Sequence, residues 1–306
     1  MKVVFMGSGA ISVPTLRWLA SAPGIELVGV VTQPDRPAGR GLQVVPSAVK
    51  QFAVSRGIPV MQPARVRAPE AVEQIAALQP NVLVVIAYGQ ILPQQLLDVP
   101  RLGALNLHAS LLPKHRGAAP VHAAILAGDR KSGVTVMWMD AGLDTGDMLL
   151  VKECAIDSSE TAGTLHDKIA ELAPAALAEA LSLIGEGRAP RLKQEDSLAT
   201  CAPKLDRSLG RLDWTRSADE TDRVIRGLYP WPGSTATVEL EGGRRVDLKI
   251  HRAEISDKPA NPAELRFSCA GGGVISLLEV QAPGGRRMSS GDFARGNKVV
   301  RGGAES

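Results

Sequence analysis

Aromatic residues make up only 3% of this 306-residue chain. A platform for single-stranded nucleic acid stacks successive bases on aromatic rings, so so few rings argue against one. Cysteine is equally scarce. Cys154, Cys201 and Cys269 are odd in number and widely spaced, with no C-x-x-C. That pattern argues against a disulfide framework and a zinc site, and fits a reducing cytoplasm. Long apolar runs are missing too. The longest aliphatic run is Val82 to Ala87, far short of the roughly 20 residues that a membrane helix needs. The opening MKVVFMG runs straight into a strand-like pattern and predicts no secretory leader. What the chain does have is a globular balance of 44% hydrophobic and 22% charged residues. Its length predicts about two domains.

Neither sign of charge dominates, and the net charge is +3. The surplus sits at one end. Arg286, Arg287, Arg295, Lys298 and Arg301 face only Asp292 and Glu305 in the last stretch of chain. A polyanionic partner and a solvated basic tail both fit that distribution.

Short apolar runs alternate with helical patterns through the first half. Residues 2–6, 26–32, 58–61, 81–87, 102–108 and 133–139 read as strands. Helical spacing covers Val13 to Leu19, Pro69 to Leu78, and a long stretch from Thr161 to Ile184 that Pro174 is expected to kink. This alternation predicts an α/β domain with a mostly parallel sheet over residues 1–185. Residues 186–204 lack a period and read as a linker. Beyond them, alternation on both sides of Gly242-Gly243 and of Gly271-Gly272-Gly273 predicts two hairpins. Residues 205–306 are therefore expected to form a small β domain, plausibly a barrel.

Two regions could carry chemistry. Gly7-Ser8-Gly9 stands between a strand and a helix, where a nucleotide-binding turn would sit. Position 12 is Ser, however, and no acidic residue follows the second strand until Asp35. A tight turn that needs small residues explains the same glycines. The centre of the chain is more specific. Strand alternation places Asn106 and His108 on one face at the end of a buried strand, where α/β folds put ligands. A second strand runs into Asp140-Ala-Gly-Leu-Asp144-Thr-Gly-Asp147. An amide, an imidazole and a carboxylate on neighbouring strand ends suit acyl transfer: the first two donate to an oxyanion, the third orients the His or takes a proton. An EF-hand would need a Glu near Val151, which argues against calcium in this loop. No Ser or Cys has a nucleophile-elbow context, so a covalent mechanism is not favoured.

These residues also bring a resemblance. NLHASLLPKHRGAAP (106–120), followed by MDAGLDTGDM (139–148), resembles the catalytic signature of the 10-formyltetrahydrofolate-dependent formyltransferases. TQPDRPAGRG (32–41), AYGQILP (87–93), YPWP (229–232) and F-x-x-G at 293–296 look like the members that act on methionyl-tRNA. The resemblance implies a Rossmann-like formyltransferase domain followed by an OB-like β-barrel that binds tRNA. It implies formyl transfer from 10-formyltetrahydrofolate to the α-amino group of methionine on initiator tRNA, with no metal and no membrane. Asn106, His108 and Asp144 match its catalytic residues. Ser110, Leu111, Leu112 and Pro113 match its folate segment, and Ile86, Tyr88, Gly89, Ile91, Leu92 and Asp140 would line the pterin pocket. Arg36 and Arg40 would reach tRNA from one loop, and Arg286, Arg287, Arg295, Lys298 and Arg301 from the C-terminal end. Leu42-Gln43 replaces lysines of some relatives, which leaves Arg40 as that loop's main phosphate contact.

Three other functions compete, one of them a non-catalytic RNA-binding module, which would leave the polar cluster without a role. Formyl transfer to a small amine such as an amino sugar would use the same three residues without the β domain. An NAD(P)-dependent oxidoreductase would use Gly7-Ser8-Gly9 and leave Asn106, His108 and Asp144 without a role.

Overall fold

Aliphatic runs without a polar break can be buried on both faces, and such runs build the middle of a parallel sheet. KVVFMG forms β1 (Lys2–Gly7) and ELVGVV forms β2 (Glu26–Val31). A small hairpin follows, β3 (Arg36–Ala38) and β4 (Gln43–Val45), then β5 (Val60–Met61). VLVVI forms β6 (Val82–Ile86), in which every residue is buried. Fully burying each such side chain contributes about 1.5–3 kcal/mol. β7 (Ala104–His108) ends at His108, and β8 (Arg116–Gly117), β9 (Lys131–Trp138) and β10 (Met148–Ala155) complete the series. The computed structural model describes residues 1–38, 43–256 and 265–301, with backbone alone for Ala38, Gln43, Val300 and Arg301.

The main sheet has the order β10-β9-β7-β6-β1-β2-β5. β1, β2, β5, β6 and β7 are parallel, and β9 and β10 run antiparallel at one edge. The sheet is thus mostly parallel, as the alternation of runs predicts. The strand order reverses between β1 and β6, so the carboxyl ends of these strands and of β7 border the crevice where open α/β sheets bind ligands. Sequence patterning missed β10. Its outward face is exposed along most of its length, so no continuous apolar run announces it.

Helices α1 (Val13–Leu19), α2 (Ala48–Ser55), α3 (Pro69–Ala77), α4 (Gln94–Leu97) and α5 (Pro120–Ala127) connect the strands. Proline opens α3, where its fixed φ suits the first turn and its missing N–H costs nothing. The long helix α6 (Ala162–Gly185) continues through Pro174 as one element.

The chain divides into two compact units. The first comprises Met1–Pro120, Lys131–Ala155 and His166–Cys201, the second Val121–Arg130, Ile156–Leu165 and Ala202–Ser306. The aperiodic stretch after α6 is tied into the first unit up to the start of β11 (Cys201–Ala202). Leu192 and Met148 exchange two backbone hydrogen bonds, at 2.8 and 2.9 Å, and Arg116 N–H donates to the Thr200 carbonyl at 2.8 Å.

In the second unit α7 (Ala218–Gly227) opens with a capping box between Ser217 and Glu220. β12 (Ser234–Leu240) and β13 (Arg245–Ile255) pair through the turn at Gly242-Gly243, where φ is +86° and +77°. β14 (Leu265–Ser268) and β15 (Val274–Gln281) form the second expected hairpin. β16 (Arg287–Ser289), α8 (Ser290–Gly296) and β17 (Val299–Arg301) end the described chain. The antiparallel sheet runs β14-β15-β13-β12-β17, with β16 also on β15. Alternate residues of β12 point into its core, where Trp214 stacks on Phe267 at 4.1 Å.

Candidate active site

Asp144 is the hub of the site. Its Oδ1 accepts from Asn106 Nδ2 at 3.2 Å. Its Oδ2 accepts from the Gly117 N–H at 2.9 Å and faces His108 Nδ1 at 3.5 Å. The three residues singled out from the sequence therefore meet. Asn106 and His108 come from alternate positions of β7, and Asp144 from the loop between β9 and β10. Asp144 itself has φ +55°, a left-handed conformation that L-residues with a side chain seldom adopt. His115 (φ +62°) and Ala87 (φ +48°) share that conformation. Backbone strain of this kind gathers where function fixes the geometry.

His108 is 5% exposed and both its ring nitrogens are engaged. Nε2 lies 2.9 Å from the His115 carbonyl. A carbonyl only accepts, so Nε2 carries the hydrogen and the neutral ring presents a lone pair at Nδ1 toward Asp144. Burial pushes the His108 pKa below its usual value, while the Asp144 carboxylate pulls it the other way. The neutral ring beside a carboxylate is a pair of acceptors waiting for one proton. A charge on the ring arises only when the pair takes up a proton.

A consequence for stability follows. The unfolded chain binds this proton near pH 6.5 and the folded chain only at lower pH. The contribution of His108 is thus complete above about pH 6.5 and is lost as pH falls through the folded value. His108→Asn is expected to lose less unfolding free energy than the wild type between pH 7.5 and pH 5.5, as read from denaturant titrations. Equal losses in both proteins would contradict the assignment.

The segment after β7 is held from β9. Thr135, paired across from His108, donates its hydroxyl to the Ser110 carbonyl at 2.7 Å and accepts from Leu112 N–H at 3.1 Å. Ser110 and Leu112 are buried, Leu111 and Pro113 half-buried. Asp140 is exposed, and its carboxylate is spent on its own loop, accepting from Gly142 N–H and the Thr145 hydroxyl at 3.0 and 2.8 Å. In the segment from 86 to 92, Ile86, Tyr88 and Leu92 are core residues. Burial pushes the Tyr88 phenol up to about 12. Gly89 and Ile91 reach the surface instead, Ile91 at 80% exposure. With Arg36, Gln33, Arg65 and Arg67 they line a cleft of about 370 Å³. Arg65 and Arg67 carried no sequence signal. Leu143, beside Asp144, is 65% exposed.

The first glycine-rich turn does no such work. Ser8 and Gly9 N–H groups both donate to the Ala87 carbonyl, at 3.2 and 3.3 Å. Donors spent there cannot cradle a pyrophosphate, so the turn serves packing between β1 and β6. The basic residues at the C-terminal end are mostly matched in charge. Arg287 pairs with Glu279, Arg295 with Asp292, and Lys298 with Glu241 at 3.0 Å. Arg301 lies in β17 with its side chain undescribed, and Arg40 falls outside the described residues. Among the described residues no three His, Cys, Asp or Glu side chains gather as a metal site, and no helix is long and apolar enough to cross a membrane.

The fold is that of the formyl transferases. Residues 1–181 match the formyl transferase family and residues 204–298 its C-terminal domain. Two solved structures share the fold at 15–16% identity. The N-formyltransferase from Helicobacter canadensis, in complex with folinic acid and dTDP-3-aminofucose, has a TM-score of 0.65 over 90% of this chain and 98% of its own. HypX from Aquifex aeolicus, in complex with tetrahydrofolic acid, has a TM-score of 0.61 over 96% of this chain and 47% of its own. Closer relatives are the methionyl-tRNA formyltransferases of Geotalea daltonii, 44% identical over 99% of this chain and 97% of that one, and of Pseudomonas savastanoi pv. phaseolicola, 46% identical over 96% and 94%. The chain belongs to the methionyl-tRNA formyltransferase family.

Proposed function

We propose that this chain transfers the formyl group of 10-formyltetrahydrofolate to the α-amino group of methionyl initiator tRNA, with Asn106, His108 and Asp144 as the catalytic residues. The observation that carries the proposal is the contact of one carboxylate, Asp144, with the Asn106 amide, the His108 ring and the Gly117 N–H. The residues around it fit a folate. Exposed Ile91 and Leu143 offer apolar contact, and Arg65 and Arg67 offer cations to its carboxylates. Ser110 to Pro113 and Gly89 belong to the same proposed donor site.

The chemistry needs little else. A free α-amine has a pKa near 7.7–8.0, so a useful fraction is neutral at physiological pH. It attacks the formyl carbon and a tetrahedral oxyanion forms. Asn106 has one amide hydrogen on Asp144 and a second to donate to that oxygen. One such donor contributes roughly 3–4 kcal/mol. The nitrogen of the adduct passes its proton to the His108–Asp144 pair, which creates the imidazolium. That cation then stabilises the oxyanion and returns the proton to N10 of the departing folate. No covalent enzyme intermediate is required.

On the tRNA side, Arg36 and Arg40 are proposed contacts of the first unit, and Arg286, Arg287, Arg295, Lys298 and Arg301 of the second. Pairing with neighbouring carboxylates weakens the field of three of them. Each that leaves its carboxylate for a phosphate releases counterions, so neutralising two contacting residues should flatten the slope of log K against log salt by roughly 1.4–1.8. An unchanged slope in every paired substitution would return these residues to a solvated surface. Translation places such an enzyme in the cytoplasm.

Incubation of the full chain with 10-formyltetrahydrofolate and methionyl initiator tRNA should yield N-formylmethionyl-tRNA. Elongator methionyl-tRNA should react far more slowly, and a dTDP-amino sugar not at all. Formylation of the sugar in preference to the tRNA would overturn the acceptor assignment.

A further inference from the structure

Gln194 lies in the stretch that sequence patterning reads as a linker, yet its side chain grips the catalytic loop. Its single amide nitrogen donates to two carbonyls, those of Asp144 and Gly146, at 2.8 Å each. These carbonyls flank Thr145, so one group pins both sides of the turn that holds Asp144 in its left-handed conformation. The orientation of the amide is not free to reverse. Its Oε1 accepts from Arg116 Nε at 3.0 Å and Nη2 at 2.8 Å. A flipped amide would set its NH₂ against the guanidinium and its oxygen against two carbonyls, which are mutually repulsive pairings.

Arg116 is itself anchored. Nη2 also donates to Asp196 at 2.7 Å, and its backbone N–H donates to the Thr200 carbonyl at 2.8 Å. The next residue, Gly117, gives its N–H to the Asp144 carboxylate at 2.9 Å. A closed circuit results. The backbone after Arg116 holds the Asp144 carboxylate, the Arg116 side chain holds Gln194, and Gln194 holds the Asp144 carbonyl. Every member lies within the first unit. Of these residues, Asp144 is the one that meets Asn106 and His108.

We propose that Gln194, oriented by Arg116, is a positioning residue for Asp144: it sets the backbone from which the carboxylate meets Asn106 and His108. The inference rests on the catalytic role given to Asp144 under the proposed function. Removing the amide leaves the turn free to leave its strained conformation, and the carboxylate moves with it. Misplacement of a catalytic group by about 1 Å costs on the order of 100-fold in rate.

Two variants and a double-mutant cycle test it. Gln194→Met keeps the volume and removes both donors. Gln194→Glu keeps the contact to Arg116, now as an ion pair, and sets an oxygen in place of the donors against the two carbonyls, so the anchor remains while positioning is lost. Each is expected to lower kcat about 10- to 100-fold, with KM for folate and for methionyl-tRNA within about threefold of wild type. The far-ultraviolet circular dichroism of both folded variants should match that of the wild type. Because Asp144 raises the His108 pKa, the uncharged Gln194→Met should also lower the pKa that NMR reads at the His108 ring. On an Asp144→Ala background, Gln194→Met should cost nothing further, since interacting residues are non-additive. Wild-type kcat in both Gln194 variants, with Asp144→Ala impaired, would overturn the positioning role alone. A loss that multiplies with that of Asp144→Ala would overturn it too. Full activity of Asp144→Ala would overturn the catalytic reading and this inference with it.

Discussion

Asp144→Ala is expected to lower turnover at least about 100-fold, which corresponds to roughly 2.7 kcal/mol of lost transition-state stabilisation. The size follows from the number of partners that the carboxylate serves. Without it the Asn106 amide loses its acceptor, the Gly117 N–H is left unpaired, and His108 faces no charge. The His108 pKa, already depressed by burial, then falls further because the opposing influence is gone. The ring becomes a weaker base at the step where a proton must leave the adduct. KM values should change little, because the loss is felt in the transition state. Steady-state kinetics for both substrates and an NMR titration of His108 check the two halves. Wild-type kcat in a folded Asp144→Ala protein would contradict the first, and an unmoved His108 pKa the second.

Gly146→Ala should be nearly as damaging, for a steric reason. A Cβ at Gly146 would sit 1.7 Å from the carbonyl oxygen of Trp138, a backbone atom at the end of β9. That carbonyl cannot step aside, because β9 lies inside the sheet between β7 and β10. The loop must yield instead, and it carries Asp144. A loss of at least about 100-fold in kcat is expected, with the far-ultraviolet circular dichroism of the folded protein retained. Gly142→Ala provides the comparison. There the Cβ meets the Thr145 hydroxyl at 2.0 Å, and a side chain can rotate away. Its loss should be much smaller. Equal effects at the two glycines would show that the loop, and not the Trp138 contact, governs the outcome.

Much of the first unit was legible because burial writes itself into composition. VLVVI has no polar side, and it became a strand in which every residue is buried. Asn106 and His108 stood out because two polar groups interrupt such a run with a period of two, and the period puts them on one face. The strand β10 was hidden because one of its faces is mostly exposed and the other only half-buried. Gln194 and the Gly117 N–H were hidden for a different reason. They act through contacts between segments distant in sequence, and no local spacing encodes which carbonyl a glutamine will reach. The turn at Gly7-Ser8-Gly9 shows the opposite error: its composition admits a phosphate cradle, and only the Ala87 carbonyl reveals where its donors go. Charge misled in the same way. The terminal basic residues form a surplus along the chain, but folding brings Glu279 of β15 and Glu241, just after β12, beside Arg287 and Lys298.

The central claim is that Asn106, His108 and Asp144 together carry the formyl group to an amine, and single-turnover kinetics test it most directly. Enzyme in excess, saturated with 10-formyltetrahydrofolate, is mixed with methionyl initiator tRNA, and N-formylmethionyl-tRNA is followed by rapid quench. The account predicts a chemical step at least about 100-fold slower in each of Asn106→Ala, His108→Ala and Asp144→Ala than in the wild type, with folate affinity and folding retained. Rates near wild type in all three folded variants would contradict it.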